Sequence, residues 1–415
     1  MISIERIRNN LEALKSSLAL KGYNDDLNEI ISIDSDYRAS LSLVNDLRAE
    51  RNKVTDQIAE LKKSKQDAND KIVSMRALGS KIKDLESEIS VKKERLDDLI
   101  LNLPNVPHES VPPGSDESNN KVIYEWGVEK NQSFDIKNHL SLGSSLKLFD
   151  FERSAKLSGS GFPLYTDQGA RLERCLINFM IDHNVQKGYK EMFVPFLALE
   201  KSLYGTGQLP KLEEDMYFIN KDDLYLIPTA EVPLTNIHRD EILNINDLPI
   251  KYTSYSPCFR REAGSYGKET RGLLRVHQFN KVEMVKFVHP DESYAELENL
   301  LADAESILQT LGLHYRVLSL CSGDLSFAAS KCYDIEVWSP SENEWLEVSS
   351  CSNFESFQAK RSKIKYKENS NKAEFVHTLN GSGLATPRLM VSLLETYQNK
   401  NGFINLPEPI KKYFS

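Results

Sequence analysis

The first hundred residues contain two long stretches in which apolar positions recur every three or four residues. The first repeat runs through Val44, Leu47, Arg51, Val54, Ile58 and Leu61. The second starts after Met75 and runs through Leu78, Ile82, Leu85, Ile89, Lys92, Leu96, Leu99 and Leu103. This spacing predicts two long helices, and the polar segment 64–70 between them predicts a turn. The pattern therefore indicates an antiparallel helical hairpin over about residues 34–103.

A proline-rich polar segment follows this hairpin and predicts a domain boundary. It cannot continue a helix, because prolines and a glycine recur between Asn105 and Asn120. We expect an N-terminal domain over 1–104, a linker over 105–120 and a second domain over 121–415. The second domain has mixed α and β signals without a repeating βαβ register. It also lacks GxGxxG and GxxxxGK[ST] phosphate loops, which disfavours Rossmann and P-loop chemistry.

Within the second domain the patterns alternate between helix and strand. An apolar stripe predicts a helix over Gly169–Gln186, and the segment Glu191–Phe196 is strand-like. Near the C-terminus, a glycine turn at Asn380–Gly383 precedes a predicted helix with a ridge at Leu389, Leu393 and Tyr397.

The segment Tyr255–Phe287 joins two strand-like runs through a long charged loop. On the first run Cys258, Arg260 and Glu262 share parity, and the return run places His277, Phe279, Lys281 and Glu283 on one side. The loop over 263–275 exceeds an ordinary hairpin connection. A plain surface hairpin is the alternative, but this concentration of charge favours a functional site.

Composition sets the protein class. The chain has 415 residues, 40% of them hydrophobic and 27% charged, which is typical of a globular protein with two or three domains. Its five cysteines form no CxxC pair, which argues against a disulfide framework and a cysteine zinc site and favours a reducing compartment. The N-terminus lacks a signal or transit pattern, and no run approaches membrane-spanning length.

Charge is unevenly distributed in this acidic chain, whose formal net charge is -9. Between Arg48 and Lys83, ten Lys or Arg face five Asp or Glu. Solvated flank positions explain many coiled-coil lysines. A basic hairpin laid on a phosphate backbone is the functional interpretation, and it would use Arg48, Arg51, Lys53, Lys62, Lys63, Lys65, Lys71 and Arg76.

Three short polar stretches are ambiguous when each is taken alone. Thr229 to Glu231 lies between two prolines, where an ordinary turn is the simpler interpretation. Glu347 and Ser350 offer a carboxylate and a hydroxyl that suit Mg²⁺ held jointly with substrate phosphates, although surface Glu-Ser pairs are common. Arg388 opens the last predicted helix, a place that favours anions. It fits a polyphosphate or nucleobase there, and a plain surface arginine is the alternative.

Taken together, these segments resemble bacterial-type seryl-tRNA synthetase, a class II aminoacyl-tRNA synthetase, over essentially the whole chain. The resemblance rests on the hairpin arm and on Thr229–Asn236, Phe259–Glu283, Glu347–Asn353 and Asn380–Arg388. It implies an α+β fold, in which the helical arm precedes a catalytic domain with an antiparallel sheet flanked by helices. It also implies a homodimer that pairs through the helix and strand ending at Pro195.

The resemblance implies a role for each matched residue. Arg260 and Arg388 are the expected catalytic residues, and Glu347 and Ser350 the expected Mg²⁺ ligands. The expected serine-binding residues are Thr229, Ala230, Glu231, Arg260, Glu283, Asn380 and Ser382. The expected ATP-binding residues are Arg260, Arg261, Glu262, Arg275, Val276, Phe279, Glu347, Val348, Ser349, Ser350 and Arg388.

The implied activity is formation of seryl-adenylate from L-serine and ATP, followed by transfer of serine to tRNA(Ser), and to tRNA(Sec) where it is present. The basic arm would bind the tRNA and the loop Gly264–Arg271 its acceptor end. We expect a cytoplasmic enzyme without DNA or membrane partners. Two alternatives stay open: an enzyme that delivers serine to a carrier protein, whose relatives lack the arm, and a noncatalytic RNA-binding paralogue, in which residues such as Arg260 or Glu283 would be eroded.

Overall fold

The computed structural model describes residues 1–130, 132–263, 272–368 and 372–414. The helices are α1 Ile4–Asn9, α2 Leu11–Ala19, α3 Asn28–Lys63, α4 Asn69–Leu101, α5 His139–Ser145, α6 Phe151–Ser158, α7 Asp167–Gln186, α8 Glu200–Thr206, α9 Glu231–Asn236, α10 Ser293–Leu311, α11 Phe357–Ser362, α12 Thr386–Tyr397 and α13 Glu408–Phe414. The strands are β1 Lys121–Trp126, β2 Lys190–Glu191, β3 Leu197–Leu199, β4 Phe218–Ile219, β5 Leu224–Leu226, β6 Ile242–Asn244, β7 Ile250–Phe259, β8 Gln278–Val288, β9 Tyr315–Ser319, β10 Lys331–Ser339, β11 Glu344–Asn353, β12 Lys365–Lys367, β13 Glu374–Phe375 and β14 His377–Ala385.

The chain forms two compact units. The smaller one comprises Ile2–Ala19 and Tyr23–Leu103, and the larger one contains Met1, Leu20–Gly22 and the chain from Pro104 onward. Residues 105–120, expected as a linker, belong to the larger unit. There the backbone N–H of Asn105 donates to Phe327 and its side-chain amide donates to the carbonyls of Ala328 and Phe354. The segment is therefore hydrogen-bonded to the larger unit and does not hang free.

The smaller unit is built on the predicted helical hairpin. Helices α3 and α4 pack along their length, and their seam buries apolar residues at the predicted spacing: Val44, Leu47, Val54, Ile58, Ile82 and Leu96. Helix α3 begins at Asn28, ahead of the predicted start near Asp34. The carboxylate of Asp34 is buried and accepts two hydrogen bonds from Arg8, so the base of the arm is fixed by a charged contact as well as by apolar packing.

The larger unit is organised around an eight-stranded sheet in the order β1-β9-β10-β11-β14-β8-β7-β2. All neighbouring pairs are antiparallel except β2 with β7. The main apolar core lies between this sheet and helices α7, α10 and α12, which contribute Leu176, Leu300 and Leu393 among many buried side chains. The expected fold class, an antiparallel sheet flanked by helices after a helical arm, is confirmed.

Two local expectations met different outcomes. The predicted helix over Gly169–Gln186 is α7, which begins at Asp167. The predicted strand across Glu191–Phe196 is wrong in extent, since only Lys190–Glu191 forms a strand. Met192 donates one more hydrogen bond to Thr253, and then Pro195, which has no N–H to donate, follows outside the sheet.

The cysteines and the lengths of the helices bear on the protein class. All five cysteines are unpaired and buried. Among the described residues, every helix is too short or too polar to span a lipid bilayer.

The arm seam gives a stability prediction. Ile82 is 3% exposed on α4, whereas Val73 on the same helix is 65% exposed. We expect Ile82→Asp to destabilise the smaller unit by several kcal/mol, because it buries a charge against apolar side chains. Val73→Asp should change its stability by less than about 0.5 kcal/mol. Limited proteolysis and urea unfolding would measure both, and equal effects of the two variants would contradict the assigned seam.

Candidate active site

Four neighbouring strands, β11, β14, β8 and β7, present polar side chains on one face of the large sheet. Register fixes this arrangement: Cys258 of β7 lies opposite Phe279 of β8, and Glu283 of β8 lies opposite Ser382 of β14. The face borders a cavity of about 490 Å³. Its wall includes most of the predicted site residues: Thr229, Glu231, Arg260, Glu262, Arg275, Val276, Phe279, Glu347, Val348, Ser350, Asn380, Ser382 and Arg388.

The predicted hairpin supplies one side of the cavity. Arg260 follows the last residue of β7, and its guanidinium lies 5.2 Å from the centre of the Phe279 ring. Its Nε donates to the carbonyl of Pro228 at 3.4 Å. The shared parity read from the sequence therefore corresponds to a real cluster, in which a cation and an aromatic face lie together.

Beyond the end of β7 the chain turns sharply. Glu262 has a φ of 51°, a left-handed conformation that is uncommon outside glycine, and its carboxylate accepts a 2.7 Å hydrogen bond from Arg275. Asp215 accepts two backbone hydrogen bonds from this turn. Its carbonyl accepts from the N–H of Arg261, and its carboxylate accepts from the N–H of Ala263. The loop Gly264–Arg271, expected to reach the tRNA acceptor end, lies outside the described residues.

A bulge in β11 brings Glu347 and Ser350 to the cavity. Side chains three apart on a regular strand point to opposite faces. Here Ile335 of β10 pairs with Ser349 and the next residue, Glu336, pairs with Glu347, so Val348 is an extra residue. Such an insertion resets the alternation of side chains, and both Glu347 and Ser350 therefore border the cavity.

Arg388 lies in the first turn of α12, as predicted, and closes the cavity wall. Its Nε donates to the carbonyl of Leu274 and its Nη1 to the carbonyl of Glu347, each at 3.1 Å. The carboxylate of Glu347 is 3.8 Å from the same guanidinium. Arg388 thus links Leu274, in the segment before β8, to Glu347 of β11.

Glu231 is a buried carboxylate held by two amides. Gln358 donates to one oxygen at 2.7 Å and Gln208 to the other at 3.3 Å. Burial, and then the negative charge of Glu283, raise the pKa of the Glu231 carboxyl to about 7. A cation in the cavity would stabilise the ionised form of this carboxyl by its charge.

Glu283 lies just behind the lining residues and is fully buried. One of its oxygens, Oε2, accepts from the Thr229 hydroxyl at 2.6 Å and lies 2.6 Å from the Lys281 ammonium. The other oxygen, Oε1, is buried without a hydrogen-bond partner. A buried acceptor without a donor costs free energy, so this oxygen would gain from a hydrogen bond.

Besides Glu283, three predicted site residues lie away from the cavity surface. Ala230 is buried in an apolar cluster, and the Ser349 hydroxyl donates to the carbonyl of Ser382. The Arg261 side chain is exposed, and its backbone is held by Asp215.

Sequence reasoning assigned no role to several residues that the structure brings to the site: Gln208, Asp215, Lys281, Asp334 and Gln358. Lys281 had a usable signal, because it shares parity with Phe279 and Glu283.

Comparison with known proteins decides the family. A seryl-tRNA synthetase N-terminal domain model matches residues 1–107, and a class II tRNA synthetase core domain model (G, H, P, S and T) matches residues 215–397. The serine–tRNA ligase of Chloroherpeton thalassium is 51% identical over 100% of this chain and 98% of its own length. The chain belongs to the seryl-tRNA synthetase family.

Solved structures agree with this assignment. A seryl-tRNA synthetase from Pyrococcus horikoshii complexed with ATP superimposes with a TM-score of 0.94 at 36% identity, covering 100% of this chain and 98% of that one. The cytoplasmic serine–tRNA ligase of Naegleria fowleri in complex with AMP gives 0.88 at 27% identity, covering 100% and 97%. The predicted family, fold class and ATP-dependent ligase activity are therefore confirmed, and this seryl-tRNA synthetase family member is an enzyme.

Glu231 gives the synthetase a pH-dependent stability. Because its pKa is raised to about 7 from 4.5, the folded state keeps a proton that the unfolded state releases between those values, and stability is lost as pH rises through this window. We expect the unfolding free energy of wild type, relative to Glu231→Gln, to fall by about 1–3 kcal/mol from pH 5 to pH 8. Urea unfolding without substrates measures this difference.

The exposed Glu200→Gln variant is the control, since its difference from wild type should not change with pH. A pH-independent difference for Glu231→Gln would show that this carboxyl titrates normally.

Proposed function

We propose that this chain activates L-serine with ATP in the cavity and transfers it to tRNA(Ser), and to tRNA(Sec) where it is present. The open Oε1 of Glu283 carries the serine assignment, because a buried acceptor beside Thr229 suits a small side chain that ends in a hydroxyl.

ATP would lie along the face formed by the hairpin and α12. The ring of Phe279 offers a flat surface for adenine, with Arg388 on the other side. Arg260 holds the serine carboxylate and the α-phosphate, since a guanidinium fork suits paired oxyanions. Glu262 accepts from the adenine amino group, and Arg275, its present partner, faces the outer phosphates.

Adenylate formation then needs positioning and charge stabilisation more than proton transfer. A serine carboxylate oxygen attacks the α-phosphorus, the bond to the bridging oxygen breaks, and pyrophosphate leaves with that electron pair. The attacking carboxylate is already ionised, so no general base is needed. Arg260, Arg275 and Arg388 stabilise the negative charge that develops on the phosphates.

The residues around β11 fit a magnesium ion. Glu347 and Ser350 offer oxygen donors on one face, the type that Mg²⁺ prefers. Asp334 lies directly opposite Ser350, and burial, followed by the negative charge of Glu347, raises the pKa of the Asp334 carboxyl well above its usual range. A divalent cation would relieve this crowding of acidic groups. When bound, it neutralises phosphate charge and orients the phosphates.

Serine would occupy the end of the cavity beneath the sheet. Glu231 and Thr229 hold its ammonium group, and Glu283, Asn380 and Ser382 surround its hydroxyl. A site built to bond a hydroxyl rejects alanine, since the analogue leaves its buried polar groups unpaired.

The arm would provide a second binding surface for tRNA. All eight predicted contact residues lie on α3, α4 or their turn, and all except the half-buried Arg51 are exposed. Arg48 also forms an ion pair with Glu86 across the two helices. Rigid basic surfaces recognise A-form RNA largely through its backbone and shape.

A homodimer and a cytoplasmic location complete the proposal. Phe193 follows β2 and is 81% exposed, which supports a partner subunit against the segment that ends at Pro195. Five unpaired cysteines fit a reducing compartment.

The substrate assignment is tested by ATP–pyrophosphate exchange with the twenty amino acids. We expect exchange with serine only, and a loss of at least about 100-fold in serine kcat/KM for Glu283→Ala, because truncation removes the hydroxyl acceptor. The exposed Glu200→Ala variant should keep wild-type exchange. Near wild-type exchange by Glu283→Ala, or preference for another amino acid, would refute the assignment.

The arm assignment is tested by replacing residues 48–83 with a short loop. We expect serine-dependent exchange within about twofold of wild type and at least about 100-fold slower tRNA charging, since the deletion removes all eight basic contacts. A double substitution that leaves the arm in place, Lys62→Gln with Lys63→Gln, should weaken tRNA charging and reduce the salt dependence of charging. Loss of both half-reactions in the deletion would contradict two separable modules.

A further inference from the structure

Lys281 has no role in the proposed function, although it borders the cavity beside Glu283. Its side chain is 8% exposed, and its ammonium lies 2.6 Å from Oε2 of Glu283. The two residues are neighbours on one face of β8, two positions apart. On the adjacent strands, Ser256 of β7 and Ala385 of β14 lie opposite Lys281, and neither offers a charge.

The two oxygens of Glu283 are used very unequally. Oε2 takes both available donors, the Lys281 ammonium and the Thr229 hydroxyl, while Oε1 takes none. The backbone below is fixed as well, because Thr253 donates to the carbonyl of Glu283 at 2.9 Å. The carboxylate is therefore held by one oxygen, and its other oxygen is left without a donor.

Charge explains why a lysine is needed at this position. Glu231 and Glu283 are both buried beside the same end of the cavity, and the negative charge of Glu283 acts on Glu231. Two buried carboxylates without a cation would share a proton. The Lys281 ammonium, 2.6 Å from Oε2, offsets one of these two negative charges, and a carboxylate oxygen can only accept a hydrogen bond.

We propose that Lys281 is a specificity-determining residue that holds Glu283 by Oε2 and keeps Oε1 as a bare acceptor for the hydroxyl of the amino-acid substrate. This inference rests on the proposed serine activation. It assigns Lys281 a positioning role through Glu283, not a contact with ATP. A substrate that ends in a hydroxyl gains the open acceptor, and one that ends in a methyl group leaves it unpaired.

The test is Lys281→Met, which keeps the length of the side chain and removes its charge. We expect the serine KM to rise at least about tenfold and the serine-to-alanine ratio of kcat/KM to fall at least about tenfold, with the ATP KM within about twofold. Lys281→Arg retains a cation and should restore most of the discrimination. All are measured by ATP–pyrophosphate exchange with full-length protein.

Lys286→Met is a matched control on the same strand. Lys286 is fully buried and ion-paired with Glu296, but it is not among the residues that border the cavity. It should lower thermal stability while leaving the serine-to-alanine ratio unchanged. This separates the loss of a buried lysine from the loss of the one beside Glu283.

Each outcome has a distinct meaning. Equal rises in the serine and alanine KM would show that Lys281 binds the α-carboxylate that both amino acids share. A parallel rise in the ATP KM would show a general defect of the site. Either result overturns the proposal. An unchanged ratio overturns it too. If Lys281→Met does not fold, Lys281→Arg decides, since wild-type discrimination supports the role of the cation and its loss despite a retained charge refutes it. Absence of serine-dependent exchange in wild type would instead refute the proposed function.

Discussion

Strand β8 is the element on which the site depends, because it is hydrogen-bonded on both sides. Its pairing with β7 puts Phe279 opposite Cys258, and its pairing with β14 puts Glu283 opposite Ser382. A shift of one residue in either register would send Phe279, Lys281 and Glu283 to the other face. Register in a central strand with both neighbours in place is strongly determined, so the polar face is as rigid as the sheet.

Electrostatics limits what this face can contain. Two carboxylates, Glu231 and Glu283, are buried within reach of each other, and two cations, Lys281 and Arg260, accompany them. Buried charges are tolerated when they are paired and hydrogen-bonded. The amides of Gln208 and Gln358 donate hydrogen bonds to both oxygens of Glu231. Substrate recognition and folding therefore draw on the same network, and a change that improves one can weaken the other.

Local sequence patterns predicted the parts that depend on a single periodicity. The arm seam at Val44, Leu47 and Ile82 and the helix around Leu176 appear where the three-and-four spacing places them. The β7–β8 hairpin likewise obeys its period of two. Other features depend on a second strand. The extra residue Val348 is visible only once β10 lies beside β11, and without it a period of two separates Glu347 from Ser350.

Some site residues could not be predicted from the sequence, because their place depends on how distant segments pack together. Asp215 and Gln358 reach the site from segments far apart in the chain, and neither carries a local pattern that predicts where its side chain points. Lys281 differs from them. The sequence shows that it shares a face of its strand with Glu283, but only the structure shows that the two residues form an ion pair. The proposed role of Lys281 follows from how the Glu283 oxygens are bonded, with two donors on Oε2 and none on Oε1. In the proposed role of Lys281, charge pairing on one oxygen leaves the other as the recognition element, so a residue can set substrate choice through the carboxylate that it holds.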